Sequence, residues 1–510
     1  MPPMLISRKR LLALCLVVSL AAPACDRLPV LSRTTPTPTA TEMPAPTPAW
    51  QQPDTYRLAM LPAWADDVIA VSDPPFYYIR ARLFLGASQP RLQVQQTTRY
   101  TNRSTQTLDR VYFRLFANKP SFGSELAFGS VTVAGQEAAL DYQSERTAVG
   151  IILPTALRAG EAVDVEMLYN VTVPVENARG YGTYNYQDGI LLLSNFYAMV
   201  AVHEADGWNL ALAPDYGDPV YAETSFYSVE FTAPTDLKLV ASGSGISRVE
   251  NSDGTVTWKF VSGPMRDWML VASERFESVS LALGHVRVNS YFLPQHRDAG
   301  VAMLAFARDS LRAYQESFGP YPFAEFDVVE APVSGGMEYP GLILIDTRQY
   351  EAAGEYLEFI TAHEVAHQWW YSLVGNDQVT VPWLDEGLTN FSTLYYYEYV
   401  YGSDRARLAF DNYVASRYVR LRESGQDAVV NQPVEAFSPE MYSAIVYGKA
   451  ALFFQDVRAE LGDTVFLDAM RAYLVDRKYQ LSTPEDWLRV FEQVSGQELD
   501  ELYTQWILEE

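Results

Sequence analysis

Apolar and polar residues alternate with a period of two through Leu92 to Tyr100, Leu108 to Phe116, Val163 to Val173 and Val256 to Val261. Turn-rich segments such as Asn251-Ser252-Asp253-Gly254 bound these runs. Half-buried strands produce this alternation, so a mostly β region is predicted from about Tyr56 to Phe276. From about Ser280 the pattern changes. After a few strands, Ala302 to Phe318 carries apolar residues at helical spacing and stops at Gly319-Pro320. Helices are then predicted over 355–374, 384–400, 404–422, 447–461, 464–475, 484–495 and 498–508. The chain therefore reads as an α+β multidomain protein, with a β-rich domain over 56–279 and a mainly helical domain over 280–510. The roughly 450 residues involved are too many for one core and suit two.

The first 55 residues read differently. Arg8-Lys9-Arg10 precede a 14-residue apolar run, Leu11 to Ala24, which is too short to span a bilayer comfortably and has the layout of a secretory signal over 1–24. Ala22-Pro23-Ala24-Cys25 resembles a bacterial lipoprotein cleavage box. Cys15 and Cys25 are the only 2 cysteines, so the folded domains hold no disulfide, and Cys25 is the expected lipid attachment point. A plain signal peptide cleaved nearby, or an uncleaved anchor, are the alternatives. Residues 25–55 include Thr34-Thr35-Pro36-Thr37-Pro38-Thr39 and read as a Pro/Thr-rich spacer that cannot bury a core. The expected location is outside the cell membrane, held to it by a lipid. A net charge of −25 disfavours nucleic acid, and none is expected as a partner, because phosphate binding needs a basic footprint. Acidity of this kind attracts cationic peptides at low salt.

The chemistry lies in the helical half. The chain has 5 histidines, and two of them occur in His363-Glu364-Val365-Ala366-His367. Residues four apart share one helix face, so the two imidazoles can reach one ion. Glu364 is rotated off that line, where a carboxylate can hold water. Glu386 follows His367 after 18 intervening residues, early in a second predicted helix that begins after Pro382. Two antiparallel helices with a short connection return Glu386 to the histidine pair. Two histidines and one glutamate leave a tetrahedral zinc with an open position, the arrangement of a hydrolytic site.

At these residues the sequence resembles the aminopeptidase N-like branch of the gluzincin metallopeptidases. Gly335-Gly336-Met337-Glu338-Tyr339 is similar to that family's Gly-x-Met-Glu-Asn exopeptidase motif, and Tyr447-Gly448-Lys449-Ala450-Ala451 is similar to its Tyr-x-Lys-Gly-Ala. Gly375-Asn376 and Val379-Thr380 resemble the stretch between the metal-binding segments, and Gly217-Asp218-Pro219 resembles part of the amino-terminal domain. The resemblance implies a thermolysin-like helical domain, one Zn2+ per chain and peptide substrates. It implies His363, His367 and Glu386 as zinc ligands and Glu364 as general base. Gly335, Gly336, Met337 and Glu338 become substrate-binding residues, with Glu338 the anchor for a free α-amino group. Tyr447 becomes an oxyanion stabiliser, with Tyr442 its competitor. Asn390, one turn beyond Glu386, is either a partner of that carboxylate or an ordinary helix residue.

Tyr339 and Ala450 depart from the motifs, and no residue of the Ser194-Asn195-Phe196 region is nominated as a second amine contact. The long carboxy-terminal helical domain of larger members is expected to be missing after Glu510, which implies a more open cleft. The implied function is removal of amino-terminal residues from extracellular peptides. A thermolysin-like endopeptidase and a peptide-binding scaffold without turnover are the alternatives.

Overall fold

The computed structural model describes residues 48–86, 89–175, 181–211 and 215–509. The expected signal, the lipid-attachment Cys25 and residues 25–47 of the Pro/Thr spacer lie outside the described residues. Among the described residues, no helix is long and apolar enough to cross a membrane.

The alternating runs form strands. The β-rich region is built on an eight-stranded sheet in the order 244–250, 255–261, 226–234, 76–84, 91–101, 162–172, 126–133, 136–137. Neighbours are antiparallel except Phe76–Phe84 beside Phe226–Pro234. Arg91–Thr101 shows why the sequence alternates: Leu92, Val94 and Tyr100 are buried on one face, while Arg91, Gln93 and Gln95 face outward. Two four-stranded sheets and a two-stranded one, 203–204 with 207–208, complete this half among the described residues.

The folded part begins earlier than position 56. Trp50 stacks on Tyr78 with ring centroids 5.9 Å apart, and the Pro53–Tyr56 turn buries Tyr56 against Phe226. The chain then crosses to the helical half, where Leu61 N–H donates to Pro322 and Ala324 N–H donates to Ala59. The division at 279/280 also moves. It falls inside the strand Glu277–Leu283, which pairs with Val286–Phe292 in a five-stranded sheet of the helical half.

That sheet runs 277–283, 286–292, 325–331, 342–346, 336–337, and its edge strand Gly336–Met337 leads into Glu338. The helix Arg297–Ser317 packs on the sheet and on the helix Glu355–Ala366. Leu357 through Ala366 are all buried, so this helix is a core element rather than a surface one. It ends at Ala366, not at 374 as the apolar spacing predicts. The chain turns instead, with Tyr371 at φ 142° and Tyr371 N–H donating to the Val374 carbonyl at 2.9 Å.

Arg266, only 1% exposed, fixes that turn from the β-rich half. Its Nε donates to the Tyr371 carbonyl at 2.6 Å, and its Nη groups donate to the carbonyls of Ala222, Leu373 and Gln480. The guanidinium fills the space where a side chain on Gly375 would lie. Arg266→Met strands these carbonyls away from water, and a destabilisation of about 3–5 kcal/mol is expected, read as a lower guanidinium midpoint.

Candidate active site

The helix Glu355–Ala366 and the buried helix Trp383–Tyr401 pack against each other. His363 lies in the last turn of the first, His367 caps it, and Glu386 lies in the first turn of the second. His363 Nε2 and His367 Nε2 are 3.2 Å apart, and Glu386 Oε2 lies 3.3 and 3.4 Å from them. Bonds of about 2.0–2.1 Å to a tetrahedral zinc require ligand atoms about 3.3 Å apart. The triangle fits that ion.

The donor chemistry agrees. His367 Nδ1 faces three oxygens, Asp385 Oδ1 at 2.8 Å, the Trp370 carbonyl at 3.0 Å and Thr389 Oγ1 at 3.1 Å. The first two can only accept, so Nδ1 carries the ring proton and Nε2 presents a lone pair. Glu386 Oε2 is buried without a hydrogen-bond donor among the described residues, while Tyr447 donates its hydroxyl to Oε1 of the same carboxylate. Three electron-rich atoms therefore converge on one point, which a divalent cation satisfies and nothing among the described residues does.

The charges around this point are unbalanced. Glu338, Glu364, Asp385, Glu386 and Asp218 are all buried, against two imidazoles. Burial and then repulsion from Glu338 and Glu386 hold the Glu364 and Asp218 carboxyls well above the usual range, with His367 partly countering this at Glu364. Burial pushes Glu338 up to about 8, partly offset by His367. Burial alone would lower His367, but Asp385, Glu338 and Glu386 hold it well above its ordinary value. Glu386 goes the other way. Despite burial, His367 and His363 keep it well below the usual carboxylate range.

The cleft is about 220 Å³ and is lined by the predicted residues His363, Glu364, His367, Glu386, Tyr447, Glu338, Gly335 and Gly336. Met337 lies outside it, buried beside a neighbouring cavity. Glu364 Oε2 has no hydrogen-bond partner among the described residues, and a Cβ on Gly336 would collide with the Glu364 carboxylate. Gly336 is therefore a matter of clearance. Oxygens of Glu338 and Glu364 and a nitrogen of His367 all lie within 4.8 Å of one another.

Between the two tyrosines weighed from the sequence, Tyr447 touches a ligand. Its ring centroid is 5.9 Å from that of His363, whereas Tyr442 packs edge-on against Tyr447, its hydroxyl without a hydrogen-bond partner among the described residues. Tyr447 sits in a π-helical turn, Ile445–Lys449, whose spacing frees backbone carbonyls. Asn390 donates to the Tyr447 carbonyl at 2.9 Å, so it supports the tyrosine and not Glu386. Lys449 is buried and donates to Asp427 Oδ1 and to the carbonyls of Ala428 and Glu509.

Four residues without a sequence-assigned role complete the site. Asp385 orients His367. Gln378 donates to both Asp385 and Glu338 Oε1, joining the two carboxylates. Gln368 receives the Gly341 N–H and donates to the Tyr339 carbonyl, tying the edge-strand turn to the metal helix. Asp218 brings a carboxylate from the β-rich half into the cleft, where its Oδ2 has no hydrogen-bond partner among the described residues. The position of Asp385 beside a ligand was the available signal for it, since a carboxylate commonly orients a metal-binding histidine. The others depend on contacts between distant segments.

Residues 303–506 match the Peptidase family M1 domain. That match spans most of the helical half of this chain. Aminopeptidase M1 of Arabidopsis thaliana is 25% identical over 342 residues, covering 62% of this chain and 38% of that protein. Probable aminopeptidase 2 of Sulfurisphaera tokodaii is 27% identical over 255 residues, covering 46% of this chain and 31% of that protein. The chain thus spans well under half the length of these relatives. The M1 zinc metallopeptidase structure from Deinococcus radiodurans superposes with a TM-score of 0.62 at 20% identity, covering 84% of this chain and 93% of that one. A β-rich half followed by a helical M1 half is a fold the two share.

Asp385→Asn keeps the shape of the His367 partner but removes its charge. Metal affinity is expected to fall about 10–100-fold, measured by competition with a chromophoric chelator.

Proposed function

We propose that this chain is a zinc-dependent aminopeptidase that holds one Zn2+ and removes N-terminal residues from extracellular peptides. The observation that carries this reading is the shared cleft, in which the metal triangle and the buried Glu338 carboxylate face the same space. An internal peptide segment offers Glu338 no charge. A free α-ammonium offers it a charge-assisted hydrogen bond and relieves the carboxylate excess. Asp218, beside Glu338 on the same wall, is a second carboxylate available to that ammonium.

Zinc, when bound by His363, His367 and Glu386, polarises the scissile carbonyl and brings the pKa of water toward neutrality. Glu364 accepts the proton of the attacking water, a role its raised proton affinity and unpartnered Oε2 suit. The same carboxyl then gives the proton to the departing amine. Tyr447 holds a neutral hydroxyl, because burial and the neighbouring Glu386 keep its pKa well above the usual value. That hydroxyl is the donor placed to meet charge developing on the carbonyl oxygen. Glu338 fixes the peptide's first residue, so the first peptide bond is the one presented.

Export with a lipid attached at Cys25 would place this cleft outside the cell, and the acidic surface would draw cationic peptides to it. An endopeptidase has no use for a buried carboxylate at Glu338, and a scaffold without turnover has no use for an unpartnered Glu364.

Aminoacyl reporter amides and their amino-blocked counterparts test the reading. Cleavage confined to free-amine reporters and abolished by a chelator is expected; equal cleavage of blocked reporters would make the protein an endopeptidase. Glu364→Gln is expected to lose about 10²–10⁴-fold in kcat with metal content retained. Glu338→Ala is expected to lose the preference for a free amine, and an unchanged preference would remove Glu338 from that role.

A further inference from the structure

Arg417 is the only lysine or arginine that lines the metal cleft among the described residues. It is half-buried on the helix Ser416–Glu423, directly after a π-helical turn at Asp411–Ala415. Four carboxylates, Asp218, Glu338, Glu364 and Glu386, line the same space, yet Arg417 forms no ion pair with any carboxylate among the described residues. Its Nη1 donates to Ser443 Oγ at 3.0 Å, which fixes the guanidinium and leaves its Nε–Nη2 edge uncommitted. Two parallel donors on one edge match the two oxygens of a carboxylate. The cleft therefore holds one cation poised for an anion that the chain does not supply.

The place of Arg417 along the cleft decides which anion. Glu338 and Glu364 belong to the flank of His367, with ligand atoms of all three within 4.8 Å of one another. Arg417 belongs to another flank. Tyr413, one turn before it, packs its ring against Phe359 with centroids 4.9 Å apart. Phe359 and Ile360 line the cleft one turn back from His363 on the metal helix. A peptide with its ammonium on Glu338 and its first carbonyl at the metal triangle and Tyr447 runs on toward this flank.

Distance limits how far it runs. One helical turn is about 5.4 Å, and each extended residue beyond the cleaved bond advances about 3.3–3.6 Å. One or two further residues bring a chain end to Arg417, and a longer chain carries its end past it. A short zwitterionic peptide thus delivers its ammonium to Glu338 and its carboxylate to Arg417 together, adding no net charge to the cleft.

We infer that Arg417 receives the free α-carboxylate of a dipeptide or tripeptide, so that the cleft reads both ends of a short substrate. The inference rests on the aminopeptidase reading and narrows its substrate class to short peptides with an unblocked carboxy terminus.

Dialanine, trialanine and hexaalanine, each as free acid and as carboxy-terminal amide, are compared on the zinc-loaded chain and on Arg417→Gln. For the two short peptides the free acid is expected to be favoured by about tenfold in kcat/KM, mostly through KM, the scale of one charge-assisted contact. That ratio should fall toward one in hexaalanine and in Arg417→Gln. Amides of the short peptides cleaved as well as their acids by the wild-type protein overturn the inference while leaving the aminopeptidase reading intact. So does an undiminished ratio in hexaalanine or in Arg417→Gln. A dipeptide amide with glutamate in second place puts the carboxylate on a side chain instead; a rate matching that of free dialanine would make Arg417 a side-chain contact and overturn the assignment. If no free-amine peptide is cleaved, the aminopeptidase reading fails, and calorimetry with trialanine and its amide decides Arg417. Tighter binding of the acid then upholds the contact, and equal affinities overturn it. Should Arg417→Gln fail to fold, the wild-type ratios across the three lengths stand as the test.

Discussion

Three lone pairs held about 3.3 Å apart inside a buried, carboxylate-rich cleft form the constraint on which this structure turns. Bringing His363, His367 and Glu386 together costs desolvation and mutual repulsion, and the surrounding Glu338, Glu364, Asp385 and Asp218 add to that cost. A divalent cation reverses the sign of the sum. Under the proposed function the same carboxylates serve as ligands and proton acceptors, and as partners for a positive substrate group. An apolar core of equal volume would fold more readily, so the price is explained only by what the charges do once an ion is present.

The scaffold meets this cost by over-determining the backbone. The metal helix is buried on every side and capped by His367, and the turn after it holds Tyr371 at a positive φ that no glycine relieves. Strain of that kind persists where several contacts impose it. Here Arg266 holds the Tyr371 and Leu373 carbonyls from the β-rich half, while Gln368 and Gln378 bind the edge-strand turn and Glu338 to the same helix pair. The β-rich half is therefore part of the site, since it supplies Asp218 to the cleft and Arg266 to the turn behind it.

The parts legible in the sequence are those fixed by local spacing. His363 and His367 lie one helical turn apart, Glu386 opens the next long helix, and the strand runs follow an alternation that a half-buried sheet requires. What stayed hidden depends on contacts across the chain. The apolar spacing of Trp369 and Trp370 continues a helical pattern beyond Ala366, and nothing local announces a turn at Tyr371 because the residue is not glycine or asparagine. Asn390 stands one turn from Glu386, yet its amide reaches the Tyr447 carbonyl, 57 positions away. Leu281 alternates like any strand residue, but only its pairing with Val288 reveals which half of the molecule owns it.

The placement of Tyr447 shows how these levels join. A regular α-helix through 439–461 would spend each carbonyl on the amide four residues on. The π-helical turn at Ile445–Lys449 breaks that accounting, and the Tyr447 carbonyl finds its donor in Asn390 on the helix that carries Glu386. Lys449, buried in the same turn, is held by Asp427 and two carbonyls, one of them from Glu509 near the chain end. The tyrosine is thus tied at its backbone to the helix bearing the ligand and at its hydroxyl to the ligand itself. A phenol fixed at both ends loses little freedom when a substrate arrives, and that preorganisation makes a neutral donor effective against a developing negative charge.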